Sequence, residues 1–222
     1  MSATLTSHTI VSETRCAGAD RILGAARTLF AQRGLSGVSM QQIADAAAVS
    51  KANVFHHFSS KQTLYRAVLE AAADEFRALL ATLRQQTTAQ GRQDFSLQHL
   101  TQMLNDPATT WLFLRALSDP QAGAQRHQAE EVVGEAMRAV IDAIGGLRAA
   151  SVLPANAGAG TLALTLLGTN LIYFQLQNVL PRLDDHPELQ DPATFAASVV
   201  HLLTPARAPV VADTKKANAP WE

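Results

Sequence analysis

Residues 20–66 read DRILGAARTLFAQRGLSGVSMQQIADAAAVSKANVFHHFSSKQTLYR, and this stretch decides the fold. Ile22, Leu23, Ala26, Leu29 and Phe30 recur at three- and four-residue spacing, which gathers them on one face of a helix. Gly34 follows as a C-cap, and RGLSGVS supplies a short loop. Ser39-Met40-Gln41-Gln42 is a capping-box pattern that opens a second, short helix through Ile43, Ala44 and Ala47. Ala48-Val49-Ser50 breaks that stripe, and Ser50 caps a third helix of about two turns, Lys51 to His57. A fourth starts at Lys61 and runs to about Gln86, its stripe including Leu64, Tyr65, Val68, Leu69, Ala72, Phe76, Leu79, Leu80 and Leu83. Helix, short helix, tight turn, short helix is the layout of a helix-turn-helix, here at about 39–58.

Working outward, residues 1–15 lack periodicity and read as a flexible arm, and QQTTAQGRQD (85–94) reads as a polar linker. Beyond it the helical pattern continues near 95–105, 107–118, 121–149, 155–180 and 191–203. Pro107, Pro120, Pro154, Pro181 and Pro192 sit at boundaries rather than inside stripes. No alternating strand pattern of useful length occurs, so the fold class is all-α. The domain expectation is a DNA-binding unit at 16–76, a second helical unit at 77–204 and a disordered tail at 205–222.

Composition narrows the function classes. A charged fraction of 17% with 47% hydrophobic residues excludes an intrinsically disordered chain. The one cysteine, Cys16, forms no internal disulfide, and the N-terminus lacks a secretory signal, so the expected compartment is the cytoplasm. A net charge of −1 conceals an uneven distribution: Arg15 to Arg66 carries +5 and the rest −6. A basic segment on an acidic body points to a polyanionic partner for the first part only. No Gly-rich phosphate loop, GxSxG or HExxH motif is present, so the chain reads as a non-enzyme without cofactor.

The pieces AARTLFAQRG, GVSMQQIADAAAVS and SKANVFHHFSSKQTLY, in that order, resemble the DNA-binding domain of the TetR family of bacterial transcriptional regulators. The resemblance covers about fifty residues. It implies a three-helix DNA-binding domain, a helical ligand-binding and dimerisation domain, and repression relieved by a small molecule. Ala48 and Ala52 stand where the family often has Gly, and Phe55 where it usually has a phosphate-contacting Tyr. Lys61 matches the family's phosphate-contacting lysine.

On physical grounds a recognition helix offers its first turn to base edges. Asn53 can pair with adenine, Ala52 leaves room for a thymine methyl, and Lys51 reaches either a base or a phosphate. Ser39, Ser50 and Ser60 cap helices and, at positive dipole ends, can also meet phosphate. Phe55 keeps a van der Waals contact; one of His56 and His57 is a candidate for phosphate and the other for packing on Phe58. Neither histidine has a Cys or acidic ligand at zinc spacing, so no metal is expected.

Residues 161–180 contain no charged side chain, yet Asn170, Gln175, Gln177 and Asn178 lie on nearly every face, which fits a buried bundle helix better than a membrane span. In TetR-like proteins the last two long helices build the dimer interface, which here puts Leu167, Leu171, Phe174, Phe195, Val199 and Leu202 at the contact. Candidate ligand-binding residues are polar or aromatic positions within apolar stripes: His99, Met103, Trp111, Phe113, Arg115, Met137, Asn170, Tyr173 and Gln177. The expected partners are a palindromic double-stranded DNA operator, a small-molecule effector and a second copy of the chain. An activator of the same fold, or a helical ligand-binding protein or enzyme without a DNA role, are the alternatives.

Overall fold

The computed structural model describes residues 4–85, 89–118, 123–149 and 158–203. Among them are nine α-helices and no strand: α1 (Thr4–Arg33), α2 (Met40–Ala46), α3 (Lys51–His57), α4 (Lys61–Gln85), α5 (Ala89–Asn105), α6 (Pro107–Ser118), α7 (Ala124–Ala149), α8 (Ala159–Leu176) and α9 (Pro192–Leu203). The expected tail at 205–222 lies outside the described residues.

Three boundaries differ from the sequence reading. The arm expected at 1–15 is helical from Thr4, because extending an existing helix costs far less than nucleating one and neither Gly nor Pro interrupts residues 4–16. Most of the polar linker expected at 85–94 belongs to α5, where burial of Gly91, Arg92, Phe95 and Ser96 overrides polar composition. Helix α8 ends at Leu176 rather than 180: Val179 N–H turns back to the Leu176 carbonyl at 2.7 Å, and Leu180–Arg182, with Pro181 inside, form a separate 3-10 turn.

Two large apolar cores, with a smaller cluster of Leu100, Tyr173 and Leu180, organise the described residues. The first joins Ile22, Ala26 and Phe30 of α1 to Ile43 of α2, Val54 of α3 and Leu64, Tyr65 and Val68 of α4. Leu112 and Ala116 of α6 and Ala129 of α7 enter this same core, so packing crosses the boundary expected at 76/77, which falls inside α4. The second core holds Leu80, Phe95, Val140, Ile144, Leu162, Leu166 and Val199 from α4, α5, α7, α8 and α9. By length and composition alone α8 could cross a membrane. It packs on α5, α7 and α9 instead, and its Asn170 is fully buried and hydrogen-bonded.

Polar contacts reinforce the junction. Arg115 of α6 donates to the Ala31 and Gln32 carbonyls, both at 3.1 Å, satisfying the carbonyl end of α1. Arg27 of α1 reaches Glu75 of α4 at 3.0 Å and Asp106, between α5 and α6, at 2.8 Å. One guanidinium thus fastens three parts of the bundle.

Candidate nucleic-acid interface and internal cavity

The turn between α2 and α3 is built by local hydrogen bonds. Ser39 Oγ accepts from Gln42 N–H at 3.2 Å while Gln42 Oε1 accepts from Ser39 N–H at 2.8 Å, closing the capping box. Ala47 and Val49 N–H groups return to the Ile43 and Ala44 carbonyls, and Ala48 between them takes φ +53°. That conformation costs an L-residue about 1–2 kcal/mol, and glycine adopts it freely at an entropic cost of about 0.4–1 kcal/mol in the unfolded chain. Ala48→Gly is therefore expected to raise stability by about 0.5–1 kcal/mol in urea unfolding, without changing which face α3 presents.

Ser50 Oγ accepts from Asn53 N–H at 3.1 Å and starts α3. Val54 is α3's one buried residue, at 0% exposure, and anchors the helix to the first core. Around it Lys51, Ala52, Asn53, Phe55 and His56 point outward, Phe55 with 45% of its surface exposed. His57 is half-buried: its ring meets His56 edge-on at 5.4 Å and lies 6.3 Å from Phe58. Ser60 Oγ accepts from Thr63 N–H at 3.0 Å, capping α4. Lys61 Nζ donates to the Val38 carbonyl at 2.8 Å, holding the loop before α2, with two N–H donors left over. Sequence reasoning missed this tie, and also that Arg27 and Arg66 pair with Glu75, Asp106 and Glu70 inside the chain. Lys51, Lys61, Arg21 and Arg33 remain for the outward charge.

A partly open cavity of about 250 Å³ lies between α4, α5, α6, α7 and α8. His99, Met103, Phe113 and Met137 line it, together with Phe76 and the polar Gln102, Asp106, Thr109 and Thr110. The structure places the other ligand candidates elsewhere. Trp111 and Arg115 line a separate surface cleft between α1 and α6, and Arg115's guanidinium is engaged with α1 carbonyls. Tyr173 packs on Phe195 at 4.6 Å, and Gln177 donates to the Phe174 carbonyl. Asn170 lies behind the cavity, donating to the Ser96 carbonyl at 3.0 Å and contacting His99 Nδ1 at 3.1 Å. The Thr109-Thr110 pair at the start of the largely apolar α6 is the legible signal for the polar lining; Asp106 gives none.

Burial pushes the His99 imidazole from 6.5 down to about 4. The unfolded chain therefore takes up a proton below pH 6.5 that the native state refuses until about pH 4, so stability falls as pH falls through this window. The expected contribution is a loss of about 3 kcal/mol between pH 7 and pH 4, absent in His99→Phe, read from urea unfolding at each pH.

Helix α8 carries a second face pointing away from both cores. Leu164 (63% exposed), Ile172 and Leu176 lie on it, with Gly168, whose missing Cβ would meet no atom. Val179, Leu183 and, at the end of α9, Leu202 are also exposed apolar side chains. Of the six contact residues expected from sequence, Phe174 and Val199 are buried within the chain, and Leu167, Leu171 and Phe195 are half-buried; Leu202 is fully displayed. Leucines line both sides of this helix, so its inward and outward faces look alike in sequence.

Comparison with known proteins agrees with this arrangement. The sequence profile of bacterial regulatory proteins, tetR family, matches residues 22–68. The HTH-type transcriptional regulator RutR of Escherichia coli (strain K12) is 44% identical over 64 residues, 29% of this chain and 30% of RutR. The HTH-type transcriptional activator FasR of Mycolicibacterium smegmatis is 32% identical over 136 residues, 58% of this chain and 61% of FasR. The chain thus covers less than two thirds of either relative. NalD, the secondary repressor of the MexAB-OprM multidrug efflux pump in Pseudomonas aeruginosa, has the same fold, with TM-score 0.61 at 20% identity over 86% of this chain and 98% of its own. Residues 22–68, which hold the helix-turn-helix, thus match the tetR family of bacterial regulatory proteins, and the helical bundle behind them shares the fold of NalD.

Proposed function

We propose that the protein is a cytoplasmic, non-enzymatic transcriptional regulator: a dimeric repressor that leaves its DNA operator when a small molecule fills the cavity. The observation that carries this reading is α3 itself, a two-turn helix anchored from below by Val54 that displays Lys51, Ala52 and Asn53 at its first turn. That turn fits the major groove, with Asn53 as base reader and Ser39, Ser50, His56 and Lys61 toward phosphate. Phe55 adds van der Waals contact. One such helix reads few base pairs, so the α8 face supplies a second copy and a two-fold symmetric operator follows.

The cavity reaches the DNA-binding half through Asp106 and Thr109, which line it and also hold Arg27 of α1. A ligand pressing on that corner shifts α6 against α1 and α4, and with it the distance between the two copies of α3. Effector and DNA affinities are then linked reciprocally.

Selection of duplexes from a random library by the purified protein tests the reading. Enrichment of a two-fold symmetric site is expected, and a pool without common sequence contradicts it. On the enriched site, Asn53→Ala should lose about 1–3 kcal/mol and relax base preference, whereas Lys61→Ala should weaken all sequences alike. Equal losses on enriched and random DNA for Asn53→Ala would remove its base-reading role. FasR is described as an activator, and the same DNA contact serves either sign. A reporter that falls when this gene is deleted would make this chain an activator too.

A further inference from the structure

The polar groups around the cavity say what kind of molecule it takes. Among the described residues no Lys or Arg lines it, and the one carboxylate that does, Asp106, is already paired with Arg27. An anion entering would therefore meet like charge at one end and apolar walls elsewhere. His99 also lines it, its ring stacked on Phe95 at 6.3 Å and tilted against Phe76 at 5.4 Å.

The state of His99 is fixed by its neighbours. Asn170 Nδ2 donates to the Ser96 carbonyl at 3.0 Å, which identifies that atom as the amide nitrogen. Its second N–H points at His99 Nδ1, 3.1 Å away, so Nδ1 accepts and the ring's proton sits on Nε2. Burial keeps the ring neutral at physiological pH. The cavity thus holds a fixed, uncharged N–H donor among apolar side chains. An apolar cavity of roughly 150 Å³ holds a benzene ring, so this one holds a molecule on the order of ten or more non-hydrogen atoms.

We propose that the cavity takes an uncharged, mainly apolar ligand that presents a single hydrogen-bond acceptor, a carbonyl or ether oxygen, to His99 Nε2–H. This rests on the reading of the cavity as the effector site. Asn170 is the positioning residue, setting the tautomer without touching the ligand. A carboxylate would find no counter-ion, and a pure hydrocarbon would leave the buried donor unanswered.

Three molecules of matched size separate these cases: acetophenone, cumene and benzoate, each titrated calorimetrically into the full chain. Acetophenone is expected to bind about tenfold or more tighter than either other compound. His99→Phe, which keeps the ring, should bring acetophenone level with cumene and leave cumene unchanged. The wild-type ranking stands without the variant should that fail to fold. Benzoate binding tightest, cumene equal to acetophenone, no binding of any of the three, or an acetophenone preference that survives in folded His99→Phe would each overturn the proposal. Acetophenone preference with no change in DNA affinity supports the ligand class and contradicts the regulatory reading, whereas DNA release by benzoate does the reverse.

Discussion

Ile172→Arg is expected to turn the protein into a folded monomer whose affinity for its operator is lower by about a thousandfold or more. Ile172 is 55% exposed on α8, so the arginine sits in water in the single chain and helicity should be unchanged by circular dichroism. In a dimer built on this face, two-fold symmetry brings two guanidinium groups into the apolar contact between Leu164 and Leu176. Burying an unpaired charge costs several kcal/mol, and it is incurred twice. Without the dimer each DNA contact is one short helix, and specific binding falls toward the non-specific level. Sedimentation of wild type and variant at micromolar concentration checks the first step, and titration of operator DNA the second. A variant that stays dimeric would move the interface off α8.

Val54→Asp is expected to abolish DNA binding while the rest of the bundle stays folded. Helix α3 has seven residues, too few to be stable alone, so its order depends on tertiary anchoring. Val54 supplies that anchoring at 0% exposure, against the core shared with Ile43 and Leu64. A carboxylate there has no partner and costs several kcal/mol, more than a two-turn helix can offset. Val54→Ala removes two carbons and should cost about 2 kcal/mol, leaving binding weakened but measurable. Heat or urea unfolding followed by far-UV circular dichroism separates the two: the aspartate variant should lose the DNA contact yet keep most of its helix. Unchanged operator affinity in Val54→Asp would mean that α3 is not the reading element.

The N-terminal domain was legible because its signals are local. Ser39 with Gln42, Ser50 before Lys51 and the Ile22–Phe30 stripe each specify structure within a few residues, and the structure places α2, α3 and α4 where they indicated. The cavity was less legible because its walls come from α4 through α8, far apart in sequence. His99, Met103, Phe113 and Met137 share it, while Trp111 and Arg115, two residues either side of Phe113 and so on the opposite face of α6, turn to another surface. Apolar residues on both sides of α8 make its inward and outward faces indistinguishable in sequence: Phe174, expected at the dimer contact, is buried within the chain, while Ile172 is exposed. Arg27 with Glu75 and Asp106 gave no sequence signal, since long-range ion pairs follow no spacing.

The most direct test of the central claim is fluorescence anisotropy on DNA from immediately upstream of the protein's own gene, at two salt concentrations, beside a random duplex. Tight binding that prefers the upstream fragment and weakens steeply with salt is the expected result, since phosphate neutralisation by Lys51, Lys61 and their neighbours releases counterions. No binding to either duplex even at low salt would contradict it, and would leave the bundle and its cavity as a ligand-binding protein without a DNA role.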